Sequence, residues 1–115
     1  MTDILPLLGA VITLGLGLMG CIAPNVTARM VGLEVRSSLA RSEVRATYGG
    51  LFIGLGVSCL WFQSPGMSLV VGIGWFVAAA ARFIAILIES EASLKNIGGL
   101  VLEGGIGALF LSSAL

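Results

Sequence analysis

Two stretches of this chain carry no charge, Ile4 to Ala28 and Ala46 to Ala81. A helix needs about 20 apolar residues to cross the hydrocarbon core of a bilayer. The first stretch therefore holds one crossing. The second is long enough for two, divided at the turn-forming run Gln63-Ser64-Pro65-Gly66. A fourth apolar segment follows Lys95. The pattern predicts spans over 4–22, 44–62, 67–88 and 97–115 in an all-α, up-down-up-down integral membrane four-helix bundle, a single domain over residues 1–115. Between the first two spans, Val26, Met30 and Leu33 recur at helical spacing beside Arg29 and Arg36. Residues 25–40 thus suit either a short amphipathic helix on the membrane surface or an ordinary basic loop. The start Met1-Thr2-Asp3 offers no basic n-region and no small-x-small site precedes Pro24, so the first span reads as retained rather than as a signal peptide.

Basic residues give the orientation. Arg29, Arg36, Arg41 and Arg45 precede or open the second span, and Lys95 lies between the third and fourth. The positive-inside rule then predicts a cytoplasmic loop at 25–40 and both termini on the outer, periplasmic side of a bacterial inner membrane.

Composition agrees and narrows the chemistry. Only 10% of residues are charged and mean hydropathy is +1.09, against about 25% charged in a soluble domain. The net charge of zero argues against nucleic acid as a partner, which needs a basic face. There is no histidine, so the usual general base and imidazole metal ligand are absent, and no cofactor or metal site is expected. Cys21 and Cys59 each fall near the end of their span, which antiparallel spans put on opposite sides of the membrane, beyond disulfide reach.

Seventeen glycines remain to be explained. In lipid, helices associate through close backbone approach at small residues. Gly50 and Gly54 form a GxxxG pair in the second span, and Gly99 and Gly107 share a face of the fourth. These four are the predicted helix-packing glycines. The surplus of such faces suits either a tightly wound monomer or contacts with further helices, from a larger complex or from copies of the chain.

Two charges lie inside spans: Arg82 in the third and Glu103 in the fourth. Intramembrane charges are costly, face the bundle interior and find partners. Both residues are equally far from the turn near Ala92 and Ser93, so an antiparallel hairpin brings them to one depth. Steps of three and four align Arg82 with Gly74, Ala78 and Ala85, Glu103 with Gly99 and Gly107, and Glu43 with Thr47, Gly50 and Gly54. The expectation is a buried polar cluster of Arg82 and Glu103, joined by Glu43, Arg45 and Tyr48.

The run Arg41-Ser42-Glu43-Val44-Arg45-Ala46-Thr47-Tyr48-Gly49-Gly50-Leu51 resembles an uncharacterised bacterial family of four-span proteins known as a domain of unknown function. In that family an E-x-R-A-x-Y-G-G run opens the second helix, an Arg falls late in the third and an acidic residue early in the fourth. Glu43, Arg45, Tyr48, Gly49, Gly50, Arg82 and Glu103 occupy those positions. The resemblance implies a four-helix bundle in a bacterial inner membrane. More distantly the arrangement is similar to DoxX-like membrane proteins, which implies quinone-linked redox work as one reading, although no cysteine pair suited to thiol chemistry is present.

Three functional readings are ranked. The first is a non-catalytic accessory or stabilising subunit packed against a larger complex, such as a respiratory or photosynthetic assembly. The second is a small oligomeric transporter or channel that uses the Arg82–Glu103 cluster. An enzyme ranks last, because no nucleophile–base set or phosphate loop can be drawn.

Overall fold

A computed structural model describes residues 4–112. Helix α1 (Ile4–Ile22) breaks at Ala23, because Pro24 has no N–H to donate, and α2 (Pro24–Met30) follows at once. Residues 31–37 are not helical, and Arg36 pairs there with Glu34. A continuous helix then covers Ser38–Phe62: α3 (Ser38–Val44), a π-helical segment (Arg45–Leu51) and α4 (Phe52–Phe62). Helices α5 (Pro65–Glu89) and α6 (Leu94–Leu111) follow, with no strand among the described residues.

The helix ends follow from side-chain caps. Ser37, Ser64 and Ser93 each accept a hydrogen bond from the backbone N–H three residues on, and Pro65 sits at the first turn of α5. Gln63 and Ser90 close α4 and α5 in the left-handed region, with φ of 48° and 50°.

Four helices are long and apolar enough to cross a membrane: Ile4–Ile22, Ser38–Phe62, Pro65–Glu89 and Leu94–Leu111. This is the signature of a multi-pass membrane protein. The second begins six residues earlier than the expected 44, and the third covers the expected 67–88 with short extensions at both ends. Helical structure in the 25–40 segment is confined to α2 and the start of α3. The fourth starts at Leu94 rather than Ile97, and residues 113–115 of its expected range lie outside the described residues.

Glycine seams hold α1 against its neighbours. A Cβ on Gly17 would lie 2.6 Å from the Ile53 nitrogen, and one on Gly56 would lie 2.8 Å from the Leu14 nitrogen. One on Gly20 would strike the Tyr48 carbonyl, and one on Gly49 would strike Cys21. The contacts run antiparallel and nearly backbone to backbone, which is how helices associate in lipid. Against α6, Gly9 admits the Phe110 ring; between α5 and α6, Gly72 admits Phe110 and Leu111, and Gly107 faces Phe76. The core at these crossings is Ala10, Cys59, Val71, Trp75, Ile106 and Phe110.

Within the bundle itself, Gly50 and Gly54 take no part in these seams, contrary to the expected packing. A Cβ on Gly54 would meet nothing within 4 Å, and one on Gly50 only its own helix's Arg45 carbonyl, at 3.8 Å. The buried stripe is instead Val44, Gly49, Gly56 and Cys59. Val44 and Gly49 are five apart, the spacing of a π turn. The row Glu43, Thr47, Gly50 and Gly54 follows the outward face instead.

Candidate functional site

Arg82 projects from the buried side of α5, in line with Trp75, Ala79 and Ile86 rather than with Gly74, Ala78 and Ala85, which are exposed. Its Nε donates to Glu103 Oε1 at 2.7 Å and its Nη2 to Oε2 at 3.0 Å. This is the bidentate arrangement that a planar guanidinium makes best. A third donor, Nη1, reaches Asn96 Oδ1 at 3.1 Å. Asn96 in turn donates from Nδ2 to the Glu91 carbonyl at 2.8 Å, tying the pair to the α5–α6 turn. Sequence reasoning missed Asn96. It lies seven residues before Glu103, two turns away on the same helical face, and that spacing was the available signal.

Gly99 lies between those two turns. A Cβ there would fall 2.9 Å from Arg82 Cζ and 3.0 Å from Nε, so the glycine provides the flat bed for the guanidinium. Three hydrogen bonds hold that group, so it cannot swing aside without losing some of them. Gly99→Ala is expected to lower stability by about 1–2 kcal/mol, the overpacking cost exceeding the gain in helix propensity. Thermal unfolding in detergent measures it.

The remaining predicted members separate. Arg45 turns to α1, where its Nε donates to the Cys21 carbonyl at 3.2 Å while the Cys21 thiol donates to the Arg45 carbonyl at 3.6 Å. It stabilises the end of α1, where the break at Ala23 frees carbonyls. Glu43 is exposed and makes no ion pair or hydrogen bond among the described residues. The outward phase of the helix before the π segment explains this. Tyr48 stays with the pair: it lines the same cleft as Arg82 and Glu103, and its ring packs edge-on against Phe52 at 6.0 Å. Phe52 meets Trp75 in the same way at 5.2 Å.

That cleft has a volume of about 300 Å³ and is half open. Leu16, Phe52 and Trp75 line its deep part, and Thr27, Met30 and Lys95 line the part beside α2. Lys95 Nζ donates to the Arg29 carbonyl at 2.8 Å, which fixes the start of α6 against the end of α2. Among the described residues, no three His, Cys, Asp or Glu side chains converge as a metal site would require. Cys21 and Cys59 are both free. Cys21 touches the Gly49 position, and Cys59 lies ten residues further along that helix, roughly 15 Å away.

A profile for a domain of unknown function, DUF4345, matches residues 1–113. The chain belongs to the DUF4345 family. The match takes in every element from α1 to α6, so pair, cleft and π segment all fall within the DUF4345 domain. Neither the curated proteins nor the solved structures contain a match. Within this DUF4345 chain the E-x-R-A-x-Y-G-G run has distinct structural duties. Arg45 clasps α1, Tyr48 lines the cleft and Gly49 forms the seam.

Proposed function

We propose that this DUF4345 protein is a non-catalytic subunit of a bacterial inner membrane, packed as an accessory or stabilising element against the helices of a larger complex such as a respiratory or photosynthetic assembly. In this reading its spans run up-down-up-down with both termini periplasmic. The basic residues support that orientation, since the hydrogen bond from Lys95 to Arg29 gathers the two basic connections at one end of the bundle.

One observation carries the reading. Thr47, Gly50, Gly54 and Val57 lie on an exposed face of Ser38–Phe62, and nothing stands within 4 Å of a Cβ built on Gly54. The bundle's own seams use other glycines, Gly17, Gly20, Gly49 and Gly56. In lipid an outward glycine pair makes few contacts with acyl chains, but it lets another helix approach to backbone distance. Leucine at both Gly50 and Gly54 leaves the seams untouched and blocks that approach. On native gels of mild-detergent extracts, the double variant should leave the high-mass band that holds the wild type. Unchanged migration in that band would contradict the proposal.

The alternative, an oligomeric transporter or channel, draws support from the cleft beside the Arg82–Glu103 pair. Four helices of this length enclose no path alone, so this reading needs a second copy.

A further inference from the structure

The cleft beside the ion pair has more polar capacity than the protein uses. Arg82 has five N–H donors; three are occupied by Glu103 and Asn96, which leaves two. Lys95 has three and spends one on the Arg29 carbonyl. The Tyr48 hydroxyl takes part in no hydrogen bond among the described residues, yet its side chain lines the cleft. Arg82 and Lys95 against Glu103 leave the lining with a formal charge of +1.

The shape is as specific as the charge. Lys95, Gly98, Gly99, Leu102 and Glu103 form one stripe along two turns of α6, so the cleft is elongated along the helix axis. Polar donors gather toward the α2 end, while Leu16, Phe52 and the Trp75 ring offer mainly apolar surface at the other. About 300 Å³ is roughly ten times the volume of a water molecule in the liquid and falls at the lower end of ligand-pocket sizes.

We propose that this cleft binds a single acyl chain carrying an anionic oxygen head, with the head at Lys95, Tyr48 and the free N–H groups of Arg82 and the chain against Phe52 and Trp75. The charge complementarity selects an anion over a zwitterion. The Arg82–Glu103 pair stays intact beneath the head, so the ligand adds to the network without dismantling it. The same head chemistry belongs to a free fatty acid and to an anionic phospholipid contributing one chain. This proposal stands apart from the accessory-subunit reading and uses a different face of the molecule.

Trp75 supplies the probe. The chain has two tryptophans, and Trp61 is exposed, so Trp61→Phe leaves Trp75 as the sole emitter. The full chain, reconstituted in phosphatidylcholine bilayers, is titrated with a brominated fatty acid, brominated phosphatidylglycerol or brominated phosphatidylcholine, whose bromines quench indole at contact. Saturable quenching is expected from an anionic probe at about tenfold lower mole fraction than from brominated phosphatidylcholine, the gain of one charge-assisted hydrogen bond. Quenching by the fatty acid alone assigns the source to free acid; quenching by phosphatidylglycerol as well assigns it to lipid. Gly98 lines the cleft with nothing within 4 Å of a Cβ, so Gly98→Leu enters the space from an open position and should abolish saturation. Lys95→Gln keeps a donor for the Arg29 carbonyl and should raise half-saturation about threefold. Equal quenching by all three probes, or a Gly98→Leu curve identical to its parent, overturns the proposal. Should Gly98→Leu fail to fold, an unshifted half-saturation in Lys95→Gln overturns it alone.

Discussion

Glu103→Ala is expected to destabilise the bundle by about 3 kcal/mol, read as a lowered unfolding temperature in detergent and a lower yield of folded protein. The size follows from what is left behind. Interhelical hydrogen bonds in membrane proteins average only about 0.6 kcal/mol in measured cycles, because the separated helices find other partners. Removing Glu103 does more than delete two such bonds. It strands the Arg82 charge at membrane depth, where an unpaired Arg costs about 2.5–3.5 kcal/mol on insertion scales. Side-chain exposures of 27% for Arg82 and 15% for Glu103 leave partial access, which keeps the figure near the lower end of the 3–5 kcal/mol typical of broken buried pairs. Replacing both residues with apolar ones of similar volume should cost far less than Glu103→Ala alone, since no charge is then stranded. Glu103→Gln separates the structural role from the transport alternative. A structural pair loses stability, whereas a transport element loses flux and keeps its fold.

The second large effect belongs to the α1 seam. Gly20→Ala is expected to cost about 2–3 kcal/mol, because the new Cβ meets the Tyr48 carbonyl and the whole π segment must retreat. Gly15→Ala is the internal control on the same helix. Nothing lies within 4 Å of a Cβ there, so the substitution should gain up to about 1 kcal/mol of helix propensity. Unfolding of the two variants in detergent should therefore shift in opposite directions. Equal shifts would mean that the close approach of α1 to the second span is not what holds them.

Much of this was readable from the sequence, for definite reasons. Charge-free runs and the Ser64-Pro65 start located the spans, because apolar length and capping are local properties. The Arg82–Glu103 pair was legible because a short turn makes depth in an antiparallel hairpin a matter of counting from its centre. The Glu43, Arg45 and Tyr48 grouping was only partly recovered, since Tyr48 alone stays by the cleft. Glu43 already faces outward before the π segment, and the π turn at Arg45–Leu51 then advances the seam from the Tyr48 position, four after Val44, to Gly49. Consecutive glycines in the middle of a helix were the signal that a regular α-helical phase was unsafe there. The cleft was illegible, because it is lined from α1, α2, the π segment, α4, α5 and α6, which no linear pattern brings together.

The accessory-subunit reading is tested most directly by the mass and composition of the native particle. The chain, tagged on its chromosomal copy and extracted in mild detergent, should elute in a particle far larger than its own 11.8 kDa, with other polypeptides in fixed stoichiometry. Leucine at Gly50 and Gly54 should release it from them. Elution of the wild type as a monomer, or as a homo-oligomer with no companion, would contradict the account.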